Sequence, residues 1–539
     1  MPPKRTTVPM TERKLMFVRR SLPVAALLLA VSCSSGSGGV ASLRTVSGSF
    51  KTTYWLDDGS KTTVNSPPPN AATLKAILSP NGSAAGYTII PITLDSTQSF
   101  TVSNVPEGPY FLQLDSERYE VCHGCPGPPY DNYVEVVSTQ LIELRADSPD
   151  LTSVTAGRPD IVLPDPNQVW PIHLEVSGLA PWVPADPVAP RTPGDSVVTA
   201  SSQANHYGNF APTSTPPGST VARGNWFNFG GLPDASKHDV LYAYQRSTTT
   251  VADGSSAGTV VASSRFARLT DLTMTQSTSN VSLTLTNSAP QTGEVSADIR
   301  YSQFAALAPL VHPTAVPSAF YGAFVNVVAA PHSVEYPDKP GPFEVTNLFF
   351  LANVPAPVTD VNYGTLHYGE FLDPLWKTYR AVTYTFDTQV PSALECCAGG
   401  SITSRVPMPA EPGPIVPVLG PPTQPRIEGR DAFADQNGVG VGLQPVITWS
   451  PPTLGQPTSY QITISSQTQP VIAGETRTIS AIIYSGRRFK LPPGFLKQGS
   501  QYTATISARL APWDTFDRAA FRVGVPFHTA DCLTGIFSP

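Results

Sequence analysis

The chain is short of charge. Asp, Glu, Lys and Arg make up only 14% of its 539 residues, and 34 basic against 40 acidic side chains leave a net charge of -6. Nucleic acid is not an expected partner, because neutralising a phosphate backbone takes clustered Lys and Arg. Long hydrophobic runs are missing from the N-terminus, where Leu22 to Val31 form an apolar stretch half the roughly twenty residues of a spanning helix. The eight histidines are scattered singly, with no pair at helical or H-x-H spacing, so no zinc-hydrolase signature appears. No G-x-x-x-x-G-K-[ST] phosphate loop occurs. Gly438-Val439-Gly440-Val441-Gly442 falls short of a dinucleotide fingerprint, and Asp435-Gln436-Asn437-Gly438 echoes a calcium loop without its flanking acidic ligands. Neither a cofactor nor a metal is expected.

What is present points to strands. The 58 prolines are about twice the usual share. Disordered chains lack aromatics, yet 23 Phe, 19 Tyr and 7 Trp sit inside runs rich in Val, Ile and Thr. Short strands between proline-rich turns account for both. The length exceeds one ordinary core, so an all-β chain of several serial β-sandwich domains is expected.

Arg19 and Arg20 precede the apolar stretch, and Ala30-Val31-Ser32-Cys33 closes it. Small residues leading to a cysteine resemble a bacterial lipobox. That resemblance implies a signal peptide over 1–32, cleavage before Cys33 and lipidation of its thiol, with the membrane as partner through the acyl chains. Two or three chains explain firm anchoring, since one holds only marginally. The tether 33–45 begins Ser34-Ser35-Gly36-Ser37-Gly38-Gly39, and Ser34 resembles the residue of lipoproteins sent on to the outer membrane. Met16 is a second candidate start.

Domain 46–165 carries the clearest alternation: Phe100 and Val102, a Pro106-Glu107-Gly108 turn, then Tyr110, Leu112 and Leu114. The pattern predicts a hairpin and resembles carboxypeptidase-regulatory-like, prealbumin-type sandwiches, which implies a fold and no activity. Region 166–404 reads as one or two further β-rich domains, with alternation at 280–287 and 381–386. One helix is expected over 299–310, ended by Pro309. The proline-dense stretch 405–426 predicts an extended, semi-rigid linker.

In 427–539, three runs alternate cleanly: VITWS with Ile447 and Trp449, YQITI from Tyr460, and YTATISA from Tyr502. Leu496, Gly499 and Tyr502 in LKQGSQY resemble the tyrosine corner of fibronectin type III domains, with Gln498 where proline is usual. The resemblance implies a two-sheet sandwich built around Trp449 and able to fold alone.

Cysteine chemistry has several candidates. Cys122-His123-Gly124-Cys125 lacks the helix that activates a redox pair, because Pro126 to Pro129 follow, and Pro126 stands where a haem motif needs histidine. A disulfide between Cys122 and Cys125 is expected, with free thiols and metal as the weaker readings. Cys396 and Cys397 are adjacent, and Cys532 is the remaining candidate partner for one of them. Gly254 to Gly258 matches G-x-S-x-G, but strand-like residues on both sides predict a hairpin turn. Trp182, Trp226, Trp376 and Trp513 are candidate sugar platforms, weighed against the commoner core role. Carboxylate pairs for glycoside hydrolysis cannot be read from spacing.

Together these features predict a lipid-anchored cell-envelope protein, placed at the outer membrane by its Ser34, that binds an envelope protein or polysaccharide or acts as a scaffold. The alternatives are an extracytoplasmic hydrolase with accessory sandwiches and a structural subunit of an envelope complex.

Overall fold

Period-two burial runs through strands such as Asn280–Thr284, Gln291–Ile299 and Val446–Ser450, which is the signature of strands with one face on a core. A computed structural model describes residues 42–539, except 57–59, 70–71, 81–85, 122–132, 162–171, 186–193, 202–205, 213–214, 255, 276–277, 279, 289–290, 332–334, 338–345, 373–375, 392–397, 437, 469–470, 485, 512–519 and 525. The chain is all-β, built from sandwiched sheets. Among the described residues no helix is long and apolar enough to cross a membrane.

The N-terminal sandwich has two layers. One is Leu43–Trp55 with Lys61–Asn65, Ser99–Pro106 and Leu151–Ala156 as its neighbours. The other orders Tyr87–Pro91, Thr73–Pro80, Tyr110–Val121 and Tyr133–Leu144. Val46, Phe50, Phe100, Val102, Tyr110 and Leu112 fill the space between them. The alternation expected over 99–114 is present, but the hairpin is not. Ser99–Pro106 pairs with Leu43–Trp55, whereas Tyr110–Val121 belongs to the opposite sheet. The turn is therefore an arch between layers. Positive φ at Asn104 (63°) and Gly108 (108°) lifts the chain out of the first sheet. Each apolar face then meets the other across the core, where a hairpin would have set both side by side on one face.

The central region carries a curved run of mostly antiparallel strands. Ile172–Ser177 is flanked by Val221–Gly230 and, in parallel, by Asn280–Thr284, whose Val281 and Leu283 point inward. Leu241–Asp253 and Ser256–Leu269 form a long hairpin, and Ser256–Leu269 passes the sheet on to Thr346–Asn353. Ala323–Pro331, Trp376–Asp387 and Gly399–Pro407 continue it. The expected single helix is instead two short ones, Tyr301–Ala305 and Ala308–Val311. Pro309 lies in the first turn of the second and does not end the first. Amides in a first turn have no helical acceptor, so a missing N–H costs nothing there.

The C-terminal region is a two-sheet sandwich. Thr423–Ile427, Val446–Ser450 and Arg488–Lys490 make one sheet, with the short Arg430–Asp431 at its edge. Thr476–Ile483, Ser459–Ser466, Tyr502–Leu510 and Phe527–Leu533 make the other. Trp449 is buried between them, edge-on to Tyr460 with ring centroids 5.2 Å apart.

The expected extended linker is not an exposed spacer. Ile415 and Leu419 are buried, and Ile415 exchanges backbone hydrogen bonds with Asp298 and Arg300. Pro421 and Pro422 are buried as well. Proline brings apolar surface without a donor to satisfy, so such a segment can be packed once its few N–H groups find acceptors.

Backbone pairing also crosses the boundaries read near 165, 404 and 426. Thr476–Ile483 lies parallel to Tyr133–Leu144 of the N-terminal sandwich, and Phe527–Leu533 lies antiparallel to Gly399–Pro407 of the central region. The C-terminal sandwich therefore joins the other two regions into one 21-stranded ladder. Phe521 and Ala520, in the connection before Phe527–Leu533, enter the N-terminal core, where the Phe521 ring lies 5.8 Å from that of Phe50. Residues 42–539 form one compact unit.

Cys532 does not pair. It is a free thiol on the last strand, completely buried, and burial pushes its pKa up, which keeps the unreactive protonated form.

Candidate functional site

One end of the C-terminal sandwich opens into a cleft of about 680 Å³. It is built by three turns and the last residues of the chain. In the first, Gly438 and Gly440 take φ of 78° and 71°, a conformation open to glycine, and leave clear space where a Cβ would stand. Buried Val441 anchors that turn by donating its N–H to the Ser538 carbonyl, while Val439 stays half exposed at the rim.

The second turn follows Ser459–Ser466. Gln467 donates its N–H to the Gln501 carbonyl and its side-chain amide to Thr503 Oγ1 at 2.9 Å. Thr468 Oγ1 in turn accepts from the Gln501 N–H. The third runs from Leu496 to Tyr502, where the sequence resembles a tyrosine corner. Leu496 and Tyr502 are buried, Gly499 takes φ of 81°, and Tyr502 Oη accepts from the Lys497 N–H at 2.9 Å. Gln498, the departure from the proline of that corner, lies on the cleft wall and donates its amide to the Pro539 carbonyl at 3.0 Å.

Three glutamines, two hydroxyls and glycine backbone thus line one concavity, and no lining side chain is ionisable. Its size falls within the usual range for small-ligand sites. An amide offers a donor and an acceptor on one planar group, so the chemistry available here is recognition by neutral hydrogen bonds.

The residues singled out from the sequence fare differently. Cys33, Cys122, Cys125, Cys396, Cys397 and Trp513 lie outside the described residues. Asp253 pairs with Ser256 across the G-x-S-x-G stretch, so the chain reverses there as a hairpin, with Gly254 at a positive φ of 57°. Trp182 and Trp376 are core residues and present no platform. Gln436 of the calcium-like stretch is buried and donates to the Asp431 carbonyl, and among the described residues no group of His, Cys, Asp and Glu is arranged to hold a metal. The first part of the glycine run, Gly438 to Gly440, reappears as a wall of the cleft. Gln467, Gln498 and Gln501 were not foreseen together, because they converge from two separate turns. The one available signal was the glutamine standing for a proline at 498.

His528 occupies the seam between this sandwich and the central sheet. It is buried, shares a 2.9 Å hydrogen bond with Ser404 Oγ, and burial holds its pKa down at about 4. A neutral imidazole is therefore built into the fold. As pH falls from about 6.5, the unfolded chain takes up a proton that the folded chain refuses until about 4, so the contribution is intact above that window and lost through it. The loss reaches about 3 kcal/mol. Asp531, on the same strand, works in the opposite sense. Burial raises its pKa against the pull of Ser507 and Ser401, so its share of stability grows as pH falls through its own range. Denaturation midpoints of the wild type and His528→Gln at pH 7 and pH 4.5 provide the test. The wild type is expected to lose more stability than the variant between the two pH values. Equal losses would mean that His528 does not carry the acid sensitivity.

No protein-family model matches this chain, and no curated protein matches it.

Proposed function

We propose that the chain is a lipid-anchored protein of the bacterial cell envelope that binds a neutral envelope component through its C-terminal end. The observation that carries this reading is the open cleft lined by amides, hydroxyls and glycine backbone, with no ionisable side chain. Such a lining is fitted to hold a ligand and offers nothing that would shuttle a proton at neutral pH. The basic region, the short apolar stretch and Ala30-Val31-Ser32-Cys33 support attachment to the membrane, with Ser34 favouring the outer membrane. The two-sheet packing, buried Trp449 and the Tyr502 corner support a fibronectin type III reading of the last sandwich, a module used widely for binding. Interlocking with the other two regions makes it a firm mount for the cleft.

Anchoring is tested by phase partition in detergent. Wild type expressed in a bacterial host is expected in the detergent phase, and Cys33→Ala as unprocessed or released protein. Equal partitioning of the two forms would remove the lipoprotein reading. Binding is tested by crosslinking the tagged full chain in envelopes and identifying what is retained.

A further inference from the structure

We infer that the cleft at 438–440, 467–468, 498–501 and 538–539 is a binding site for an uncharged polysaccharide chain, an inference that rests on the envelope-binding reading above. The first ground is chemical. A pyranose presents neighbouring hydroxyls, each a donor and an acceptor, and a carboxamide matches such a pair with its own donor and acceptor. Three carboxamides from two turns and the hydroxyls of Thr468 and Ser538 line a single concavity. An anionic polymer would want Lys or Arg here, and a cationic one Asp or Glu. Neither type of side chain lines the cleft, and the terminal carboxylate at Pro539 is engaged by the Gln498 amide.

The second ground is geometry. Gly438, Gly440 and Gly499 bring bare backbone to the wall, and nothing lies within 4 Å of the position a Cβ would take at any of the three. A ligand can therefore approach main-chain N–H and C=O groups directly. Val439, 50% exposed at the rim, supplies apolar surface for the C–H face of a sugar ring. The third ground is preorganisation. Gln467 is held by Thr503, and Gln498 by the Pro539 carbonyl, so less side-chain entropy is lost on binding. A cleft without an aromatic platform binds one sugar unit weakly. A repeating polymer next to a membrane-tethered protein offsets this through effective concentration.

The test uses the full chain and the double variant Gln498→Ala/Gln501→Ala, whose side chains are exposed or half exposed and whose melting temperature should match the wild type. Binding is titrated with neutral glucose oligosaccharides of α-1,4, β-1,4 and β-1,3 linkage, with an oligogalacturonate as the anionic probe and a proline-rich peptide as the protein-like probe. At least one neutral oligosaccharide is expected to bind the wild type, to lose about tenfold or more in the double variant, and to bind equally at about 0.05 and 0.5 M salt. Binding of the anionic probe alone with strong salt dependence, binding of the peptide alone, binding unchanged in the double variant, or no binding would each overturn the site. Capture from crosslinked envelopes separates the two levels. An envelope component retained equally by the double variant leaves the binding protein standing and removes this cleft, whereas retention of nothing by either form removes both.

Discussion

Expressed alone, the segment 425–539 is expected to run as oligomers in size-exclusion chromatography, where the sequence led us to expect a self-sufficient monomeric domain. Its inner core is its own: Ile447, Trp449, Ile462, Tyr502 and Ile506 are all buried between its two sheets. Its edges are not. Thr476–Ile483 gives up Tyr133–Leu144, and Phe527–Leu533 gives up Gly399–Pro407. Thr476–Ile483 is rich in β-branched residues, Phe527–Leu533 carries Phe527, Ala530, Cys532 and Leu533, and neither contains proline, which is the description of an edge that recruits another strand. Phe521 would also leave the N-terminal core and become exposed. Ser480→Lys tests the cause. Ser480 is buried against the neighbouring strand and accepts from Gln461 Nε2, so lysine there should destabilise the full chain. In the isolated segment the same lysine charges an open edge and should restore a monomer. A wild-type segment that is monomeric and unfolds cooperatively would show that the shared edges are dispensable.

That contrast marks how much was legible in the sequence. Alternation placed the strands well, because a one-residue error would turn every side chain to the wrong face: Phe100, Val102, Val281, Leu283, Ile462 and Ile464 all point inward as read. Pairing partners were not legible. Ser99–Pro106 and Tyr110–Val121 alternate as hairpin strands do, and period two is blind to whether the next strand lies beside or across the core. The proline-rich stretch 405–426 misled in a related way. Composition reports that a segment is extended, but burial of Ile415 and Leu419 depends on surfaces that come from Asp298, Arg300 and Leu454, far off in the chain. The cleft was half legible. Its glycines and the odd Gln498 stood out locally, whereas the convergence of Gln467 with Gln498 and Gln501 is set by tertiary structure alone.

Removing the arginine of one buried ion pair is expected to cost the chain about 3–5 kcal/mol, among the largest effects of any single substitution. Arg158 follows Leu151–Ala156 of the N-terminal sandwich, and Asp239 precedes Leu241–Asp253 of the central region. Their contact is bidentate: Nε to Oδ1 at 3.1 Å and Nη2 to Oδ2 at 3.0 Å, with the Asp239 side chain wholly buried. Asp239 Oδ2 also accepts from the Asp234 N–H, and Asp160 holds the other side of the guanidinium at 2.8 Å. In this setting the pair joins two regions with a fork geometry that lysine cannot reproduce. Arg158→Met leaves a buried carboxylate with one amide for company, and the denaturation midpoint of the full chain should drop accordingly. Arg158→Met/Asp239→Leu removes both charges and should recover most of the loss, because two apolar groups of similar volume need no partner. An Arg158→Met chain within about 1 kcal/mol of wild type would show that the pair contributes no more than an exposed surface bridge.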